Sequence, residues 1–492
     1  MDAICAVATG QGGAIGVIRV SGDNAITIAD GIFTPAAGSP LSGRRAYTIA
    51  YGTVRDAGGG VIDDVLVSVF RAPHSYTGED SVEISCHGSA YILQKVMQLL
   101  IDHGCRAARP GEYTRRAFMN GKMDLSQAEA VADLIASSSA AAHRMAVNQM
   151  RGAFSRQLSK LRGKLLNIAS LMELELDFSD HEDVEFASRK ELDTIAADVE
   201  ATVGALAASF TTGEAIRNGV SVAIAGRTNV GKSTLLNVLV GDERAIVSDV
   251  HGTTRDTIED SASFGGIKFR IIDTAGIRDT SDKIEAMGVE RSVRAVEEAD
   301  IVLLVCEYGD ALPPCMADGA GAPAKGVGRQ PSGRGGSFVE LYERLRPKLQ
   351  GKKVLVAVNK CDRAFTHDGN ESGLVDASHV CGECGGHDGV LFISALKGIN
   401  IGSLRQALVR LASVGTTGEA DVIVTNARHY EALTLACGDI KRVREGLSSG
   451  VPADFICEDL RLCLRHLGEI TGGEITSQET LDNIFSHFCI GK

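Results

Sequence analysis

The run Gly226-Arg227-Thr228-Asn229-Val230-Gly231-Lys232-Ser233 constrains this chain more than any other stretch. It has the form G-x-x-x-x-G-K-S, follows the apolar Val222-Ala223-Ile224-Ala225 and precedes Thr234-Leu235-Leu236-Asn237-Val238-Leu239, so a strand, a turn and a helix start are all in place. The glycines let backbone N–H groups and the positive helix end face phosphates, while Lys232 reaches the terminal phosphates and the Ser233 hydroxyl ligates Mg²⁺. The stretch implies a nucleoside triphosphate site.

A chain of 492 residues has room for roughly three domains around it. The net charge of −13 excludes a protein that coats polyanions, so any contact with RNA has to come from a local basic patch. The 12 cysteines form no framework of spacings, and Met1-Asp2-Ala3-Ile4-Cys5 opens without a basic-then-apolar leader, which predicts a cytoplasmic protein with reduced thiols. No stretch approaches the ~20 apolar residues of a membrane helix, so no membrane span is expected.

Residues 1–122 alternate β-type runs (Ala14 to Val20, Ala46 to Val54, Val61 to Phe70, Val82 to Cys86) with an amphipathic helix, Ala90 to Asp102, and read as an α+β domain. At Ser126-Gln127-Ala128-Glu129 a capping box opens a helical region, 123–215, in which Phe154, Leu158, Leu161, Leu165, Ile168 and Met172 repeat at steps of four and three. Residues 216–414 alternate strands and helices. The helical pattern then returns over 415–492 in Leu433, Cys437, Ile440, Val443 and Leu447, and in Ile456, Leu460, Leu464 and Leu467. The expected fold is multidomain: a Ras-like P-loop GTPase domain of α/β type inserted into an α-helical domain, preceded by an α+β N-terminal domain.

Further motifs turn the triphosphate site into a guanine one. Thr253 and Thr254 in Gly252-Thr253-Thr254-Arg255-Asp256 offer a second Mg²⁺ ligand, and Asp273-Thr274-Ala275-Gly276 follows the run Ile267 to Ile272. Asn359-Lys360-Cys361-Asp362 follows Val354 to Val358; the Asp carboxylate accepts two N–H bonds from guanine and would meet an unmatched adenine edge. Ser394-Ala395-Leu396 completes the base pocket. Ile277 stands where many regulatory GTPases place a water-orienting Gln, so water must be oriented from elsewhere.

Beyond these motifs the chain resembles the MnmE (TrmE) family of tRNA-modification GTPases over nearly its whole length. The likeness rests on Gly12 to Gly22, Tyr76-Thr77-Gly78-Glu79-Asp80, Pro110 to Phe118, Asp124 to Ala130, Asn426-Ala427-Arg428-His429 and the terminal Phe488-Cys489-Ile490-Gly491-Lys492. The resemblance implies a homodimer joined through the N-terminal domains and an FAD-dependent partner, MnmG (GidA), in a heterotetramer or larger complex. The pair would place an aminomethyl or carboxymethylaminomethyl group at C5 of the wobble uridine of certain tRNAs. It also implies 5-formyl- or methylene-tetrahydrofolate on Arg19, Glu83, Lys122 and Lys492; taken as residues alone, Arg19 is a strand-edge charge and Glu83 half of an ion pair.

For GTP, the implied contacts are Asn229, Val230, Gly231, Lys232, Ser233 and Thr234, the switch loop Ser248, Asp249, Val250, His251, Gly252, Thr253 and Thr254, then Asp273, Thr274, Ala275 and Gly276, with Asn359, Lys360, Asp362, Ser394, Ala395 and Leu396 around the base. Mg²⁺ falls to Ser233 and Thr254. A K⁺ ion on Asn229, Ser248, Val250 and Thr253 stands where other GTPases use an arginine finger. Glu285 matches the residue that orients the attacking water, with Lys232 at the phosphates, and Cys489 is placed near the modification chemistry. Two other readings stand beside this one: a ribosome-assembly GTPase, and a GTP-controlled dimerising scaffold.

The terminal Lys492 speaks against prenylation of Cys489. Thr476-Ser477-Gln478-Glu479 instead predicts a tail helix that buries Leu481, Ile484, Phe485 and Phe488. The family pattern is interrupted by a Gly- and Pro-rich insertion at 309–336 and by another at 363–390, where Cys381 and Cys384 with His367, His379 and His387 can hold Zn²⁺ although the four-ligand spacing is incomplete.

Overall fold

Two kinds of hydrophobic pattern build two sheets in the computed structural model of this chain, which describes residues 2–10, 12–177, 188–241, 260–272, 293–310, 338–365, 389–412, 422–473, 481, 484–486, 488 and 491. The chain divides into two compact units. One is Met1–Ala136, Ala146–Gly204 and Glu431–Lys492; the other is Ser137–Met145 with Ala205–Tyr430.

In the first unit the period-two runs form β1 (Ile4–Val7), β2 (Ile15–Ser21), β3 (Phe33–Pro35), β4 (Thr48–Arg55), β5 (Val61–Phe70), β6 (Ser81–His87) and β7 (Arg106–Ala107), in the order β3-β4-β5-β6-β2-β1-β7. Pairing is antiparallel except between β1 and β7. Alternation along β5 sends Val65, Val67 and Val69 into a core shared with the helices Ala25–Ile32 and Ala90–Asp102. Ile49, Tyr51 and Leu66 remain exposed, and Tyr51 stands directly opposite Leu66.

The helix Ala153–Asp177 buries all six residues of the predicted stripe, from Phe154 to Met172, and packs against the helix Ala453–Thr471. Each such side chain contributes about 1.5–3 kcal/mol of burial, which fixes this face of the helix inward and leaves its polar face outward. The capping box lies two residues earlier than the sequence suggests. The Asp124 Oδ1 accepts from the Gln127 N–H at 2.9 Å, and the Gln127 Oε1 accepts from the Asp124 N–H at 3.0 Å. Ser126 instead donates to Asp124 at 2.8 Å, and Glu129 is buried. Asp124 wins because an Asx carboxylate just ahead of the helix Leu125–Ala136 reaches the free N–H groups that Ser126, already inside it, cannot.

The described tail residues pack back as their spacing predicts: Leu481 and Phe485 are buried against Leu125 and Ala128, with Phe488 alongside.

The second unit holds β8 (Val220–Gly226), β9 (Asp260–Phe264), β10 (Ile267–Ile272), β11 (Ile301–Glu307), β12 (Lys353–Asn359) and β13 (Gly389–Phe392), in the order β13-β12-β11-β8-β10-β9. All neighbours are parallel except β9 with β10. β8, β11 and β12 are continuous buried runs, as strands covered on both faces must be. Parallel pairing brings the carboxyl ends of β8, β11, β12 and β13 to one side, where an open α/β sheet binds its ligand. Among the described residues no helix is long and apolar enough to cross a membrane.

Candidate functional site

The phosphate loop leaves the end of β8 and enters the helix Lys232–Gly241. Two glycines are required by space. A Cβ on Gly226 would meet the Val305 carbonyl oxygen at 2.3 Å, and one on Gly231, whose φ is +98°, would meet the Asn359 Nδ2 at 2.3 Å. Asn229 takes the left-handed region with φ +63°, which Asn tolerates better than most side chains.

Asn359 ties the loop to the segments Asn359-Lys360-Cys361-Asp362 and Ser394-Ala395. It is 3% exposed; its Nδ2 donates to the Val230 carbonyl at 2.8 Å and its Oδ1 accepts from the Ala395 N–H at 2.9 Å. Lys360 donates from Nζ to the Asn229 carbonyl at 2.7 Å and pairs with Glu307 at 2.9 Å, while Arg363 pairs with the other Glu307 oxygen. Lys360 is itself left-handed, at φ +63°. That conformation costs about 1–2 kcal/mol for a residue with a Cβ, and the two Nζ contacts offset it. Asp362 follows, half-buried, on the short helix Cys361–Phe365, and Ser394 pairs with Ile399 to turn the chain beside it.

Lys232 donates to the Gly226 and Arg227 carbonyls at 2.7 Å each, and burial pushes its ammonium down to about 8. A cation held half-desolvated on weak neutral acceptors gains strongly from an anionic one, which is the condition for phosphate capture. Ser233 and Thr234 are half-buried in the first helical turn. The structure thus brings together Asn229 to Thr234, Asn359 to Asp362 and Ser394 to Ala395; Leu396 is 78% exposed beside them. Ser248 to Thr254, Asp273 to Gly276, Glu285, Cys489, Lys492 and the cysteines and histidines of 366–388 lie outside the described residues. Among the described residues no group of three or more His, Cys, Asp or Glu could hold a metal ion.

A second polar site lies on the first sheet. Arg19 of β2 faces Glu83 of β6 across the strand pair, and its Nε and Nη2 donate to Glu83 Oε1 at 2.9 and 2.7 Å. β2 is flanked by β6 and β1, so Arg19 is not at a sheet edge. Its guanidinium lies 5.5 Å from the Tyr76 ring centre and 5.6 Å from that of Tyr113, with Nη1 reaching the Gly491 carbonyl at 3.3 Å. Gly491, at φ +92°, seats so tightly that a Cβ would meet the Val7 carbonyl oxygen at 2.4 Å.

Lys122 is not joined to the pair directly. It donates to the Pro73 carbonyl at 3.0 Å, on the segment that also carries Tyr76. Sequence reasoning missed Glu307, Tyr76 and Tyr113 as site residues; the two tyrosines stand inside the quoted motifs, whereas Glu307 is a single acid at the end of an apolar run.

Comparison with known proteins adds two family matches: residues 3–122 match the GTP-binding protein TrmE N-terminus and residues 125–489 match the MnmE helical domain. A protein of Bacteroides fragilis named tRNA modification GTPase MnmE is 53% identical over 100% of this chain and 99% of its own length. Proteins of the same name from Parabacteroides distasonis, 52% identical over 100% of both chains, and from Phocaeicola vulgatus, 50% identical over 100% of this chain and 99% of its own, are similar throughout.

Proposed function

Since the chain belongs to the MnmE family of tRNA modification GTPases, we propose that it hydrolyses GTP to drive addition of an aminomethyl or carboxymethylaminomethyl group at C5 of the wobble uridine of certain tRNAs. The observation that carries the nucleotide half is the Asn359 bridge, which holds phosphate loop and base-reading segment in one frame through Val230 and Ala395. Asp362 then reads guanine, and Lys232 exchanges the Gly226 and Arg227 carbonyls for the β- and γ-phosphates.

Mg²⁺ fits a donor set of hydroxyl oxygens: Ser233 in the first helical turn, with Thr254, would hold it, and when bound it neutralises charge between the phosphates. The exposed Asn229, whose side-chain amide oxygen is at a left-handed turn, fits K⁺ together with Ser248, Val250 and Thr253, and the ion would supply positive charge where negative charge develops on hydrolysis. Glu285 orients the attacking water. Association of two GTPase domains would order the loop 248–254 and make turnover conditional on pairing.

The one-carbon donor, 5-formyl- or methylene-tetrahydrofolate, fits the Arg19 site. Glu83 Oε1 takes both Arg19 bonds, which leaves Oε2 for the donors of a pterin edge, and the 36% exposed Tyr76 gives an aromatic face. Lys122 and Lys492 would meet the glutamate carboxylates, and the folate when bound supplies the one-carbon unit. Gly491 against Val7 supports placing Cys489, two residues earlier, near this site. The exposed stripe of Ile49, Tyr51 and Leu66 supports a homodimer through the first sheet, working with FAD-dependent MnmG in the cytoplasm.

The test is mass spectrometry of tRNA nucleosides from a strain lacking the protein, with GTP turnover measured in K⁺ and in Na⁺. Loss of the C5-modified wobble uridine and faster turnover in K⁺ are expected. Intact modification with accumulated ribosome precursors would overturn the reading in favour of ribosome assembly.

A further inference from the structure

We propose that the outer face of the helix Ala153–Asp177 over its first half, entered from Arg151, is a surface for RNA phosphates. The inference rests on the tRNA reading above and names where that RNA lies. From 151 to 164 the chain carries Arg151, Arg156, Lys160, Arg162 and Lys164 and no acid, within a protein of net charge −13. The exposed residues of this segment are Arg151, Arg156, Ser159, Lys160, Gly163 and Lys164: cations and small side chains only.

Arg156, Lys160 and Lys164 recur every fourth residue, about 6 Å apart along the axis, an inclined ridge of charge whose spacing suits consecutive phosphates. Arg156 Nη1 donates to the Arg151 carbonyl at 2.7 Å, which fixes the start of the row, and Lys164 pairs with the exposed Asp198 at its end.

Gly163 is the second observation. It sits inside the helix between Lys160 and Lys164, where a Cβ would meet nothing within 4 Å among the described residues, so their packing does not require it. A helix-interior glycine weakens the helix, and an open one on a cationic face lets a ligand backbone approach closely. A protein partner would need a cluster of large apolar or aromatic anchors; the exposed residues from 151 to 164 include none, and the nearest, Leu166, stands singly beyond the row.

The experiment titrates the full-length protein against an unmodified tRNA transcript at several salt concentrations. Arg156→Gln/Lys160→Gln/Lys164→Gln should weaken binding about 10- to 100-fold near 0.1 M salt and flatten the log–log salt slope by about two to three. Gly163→Gln should raise the melting temperature yet weaken tRNA binding several-fold, which a purely structural glycine would not do. GTP turnover should be unchanged in both.

Wild-type binding with unaltered affinity and slope in the triple variant would overturn the surface alone. Retained tRNA affinity with loss of a co-purifying protein would also overturn it, assigning the face to a protein. Absence of wild-type tRNA binding, with modified uridine still present in the deletion strain, would overturn the tRNA reading as well.

Discussion

Replacing Asn359 with Ala removes the bridge that holds the two halves of the nucleotide site together. The side chain makes bonds of 2.8 Å to the Val230 carbonyl and 2.9 Å from the Ala395 N–H, at a position 3% exposed. Leaving each partner buried and unmatched costs about 1–3 kcal/mol, so the pair amounts to about 2–4 kcal/mol once some water enters the gap. The variant recovers part of this cost by letting loop and base segment drift, and GTP then has to reassemble them. If the whole cost passes to binding, affinity falls about 30- to 1,000-fold, at 1.4 kcal/mol per factor of ten. Titration with a fluorescent GTP analogue measures this, and Asn359→Asp, which keeps the acceptor for Ala395 but sets a carboxylate against the Val230 carbonyl, should be no better than Ala. Affinity within twofold of wild type in both variants, with melting unchanged, would refute the reasoning.

Burial lowers the Lys232 ammonium to about 8 from an ordinary 10.5, so between those values the unfolded chain binds the extra proton and stability rises with pH. Phosphates restore the ammonium, so GTP binding at pH 8.5 should take up most of one proton; calorimetry in two buffers of different ionisation enthalpy that found no uptake would count against it. Arg116 is 5% exposed and meets Asp2, Glu79 and Glu112; Arg106 still holds Asp2 and Glu112, so Arg116→Leu strands Glu79 alone and should cost about 3 kcal/mol, lowering the melting temperature of the first unit by several degrees. Asp362→Asn should shift preference from GTP towards xanthosine triphosphate in competition binding, because the new amide donates to the extra carbonyl; unchanged guanine selectivity would remove Asp362 from its role.

The elements legible in the sequence are those whose burial repeats with their own period. The strand Val61–Phe70 and the helix Ala90–Asp102 begin and end where the pattern does, and Ile267–Ile272 likewise. β1 escaped because four residues show too little alternation, and its pairing with β2 on one side and with the two-residue β7 on the other is long-range. The helix Ala25–Ile32 follows Asn24, a residue type favoured as an N-cap, but eight residues are too few to show a period, and Asn24 at φ +61° makes no side-chain cap. At the site, the residue types of the Asn-Lys-x-Asp segment announce a base reader. They do not say that the Asn spends both ends of its amide on the backbone of other loops, since the atoms it meets, Val230 O and Ala395 N, belong to every residue type alike. Glu307 is invisible for a related reason: it acts on Lys360 and Arg363 only after β11 and β12 align them.

Arg19 and Glu83 show how an ion-pair reading and a binding reading converge on the same atoms. A pair that is 18% and 30% exposed loses in desolvation much of what it gains in attraction, so the elaborate seating of Arg19 is more than the fold needs. Two aromatic rings flank the guanidinium, the Tyr113 hydroxyl donates to the Arg19 carbonyl at 2.7 Å, and the Gly491 carbonyl accepts from Nη1. Each contact removes rotameric freedom from Arg19 before any ligand arrives, and Arg19 in turn holds Glu83 by one oxygen. A carboxylate whose orientation is fixed in advance binds without the ordering cost of about 0.5–1.5 kcal/mol that a free side chain incurs. On the proposed folate reading the ion pair is the means by which the sheet would present Glu83, and the period-two pattern that places both residues opposite one another on β2 and β6 is the part of that arrangement a sequence can carry.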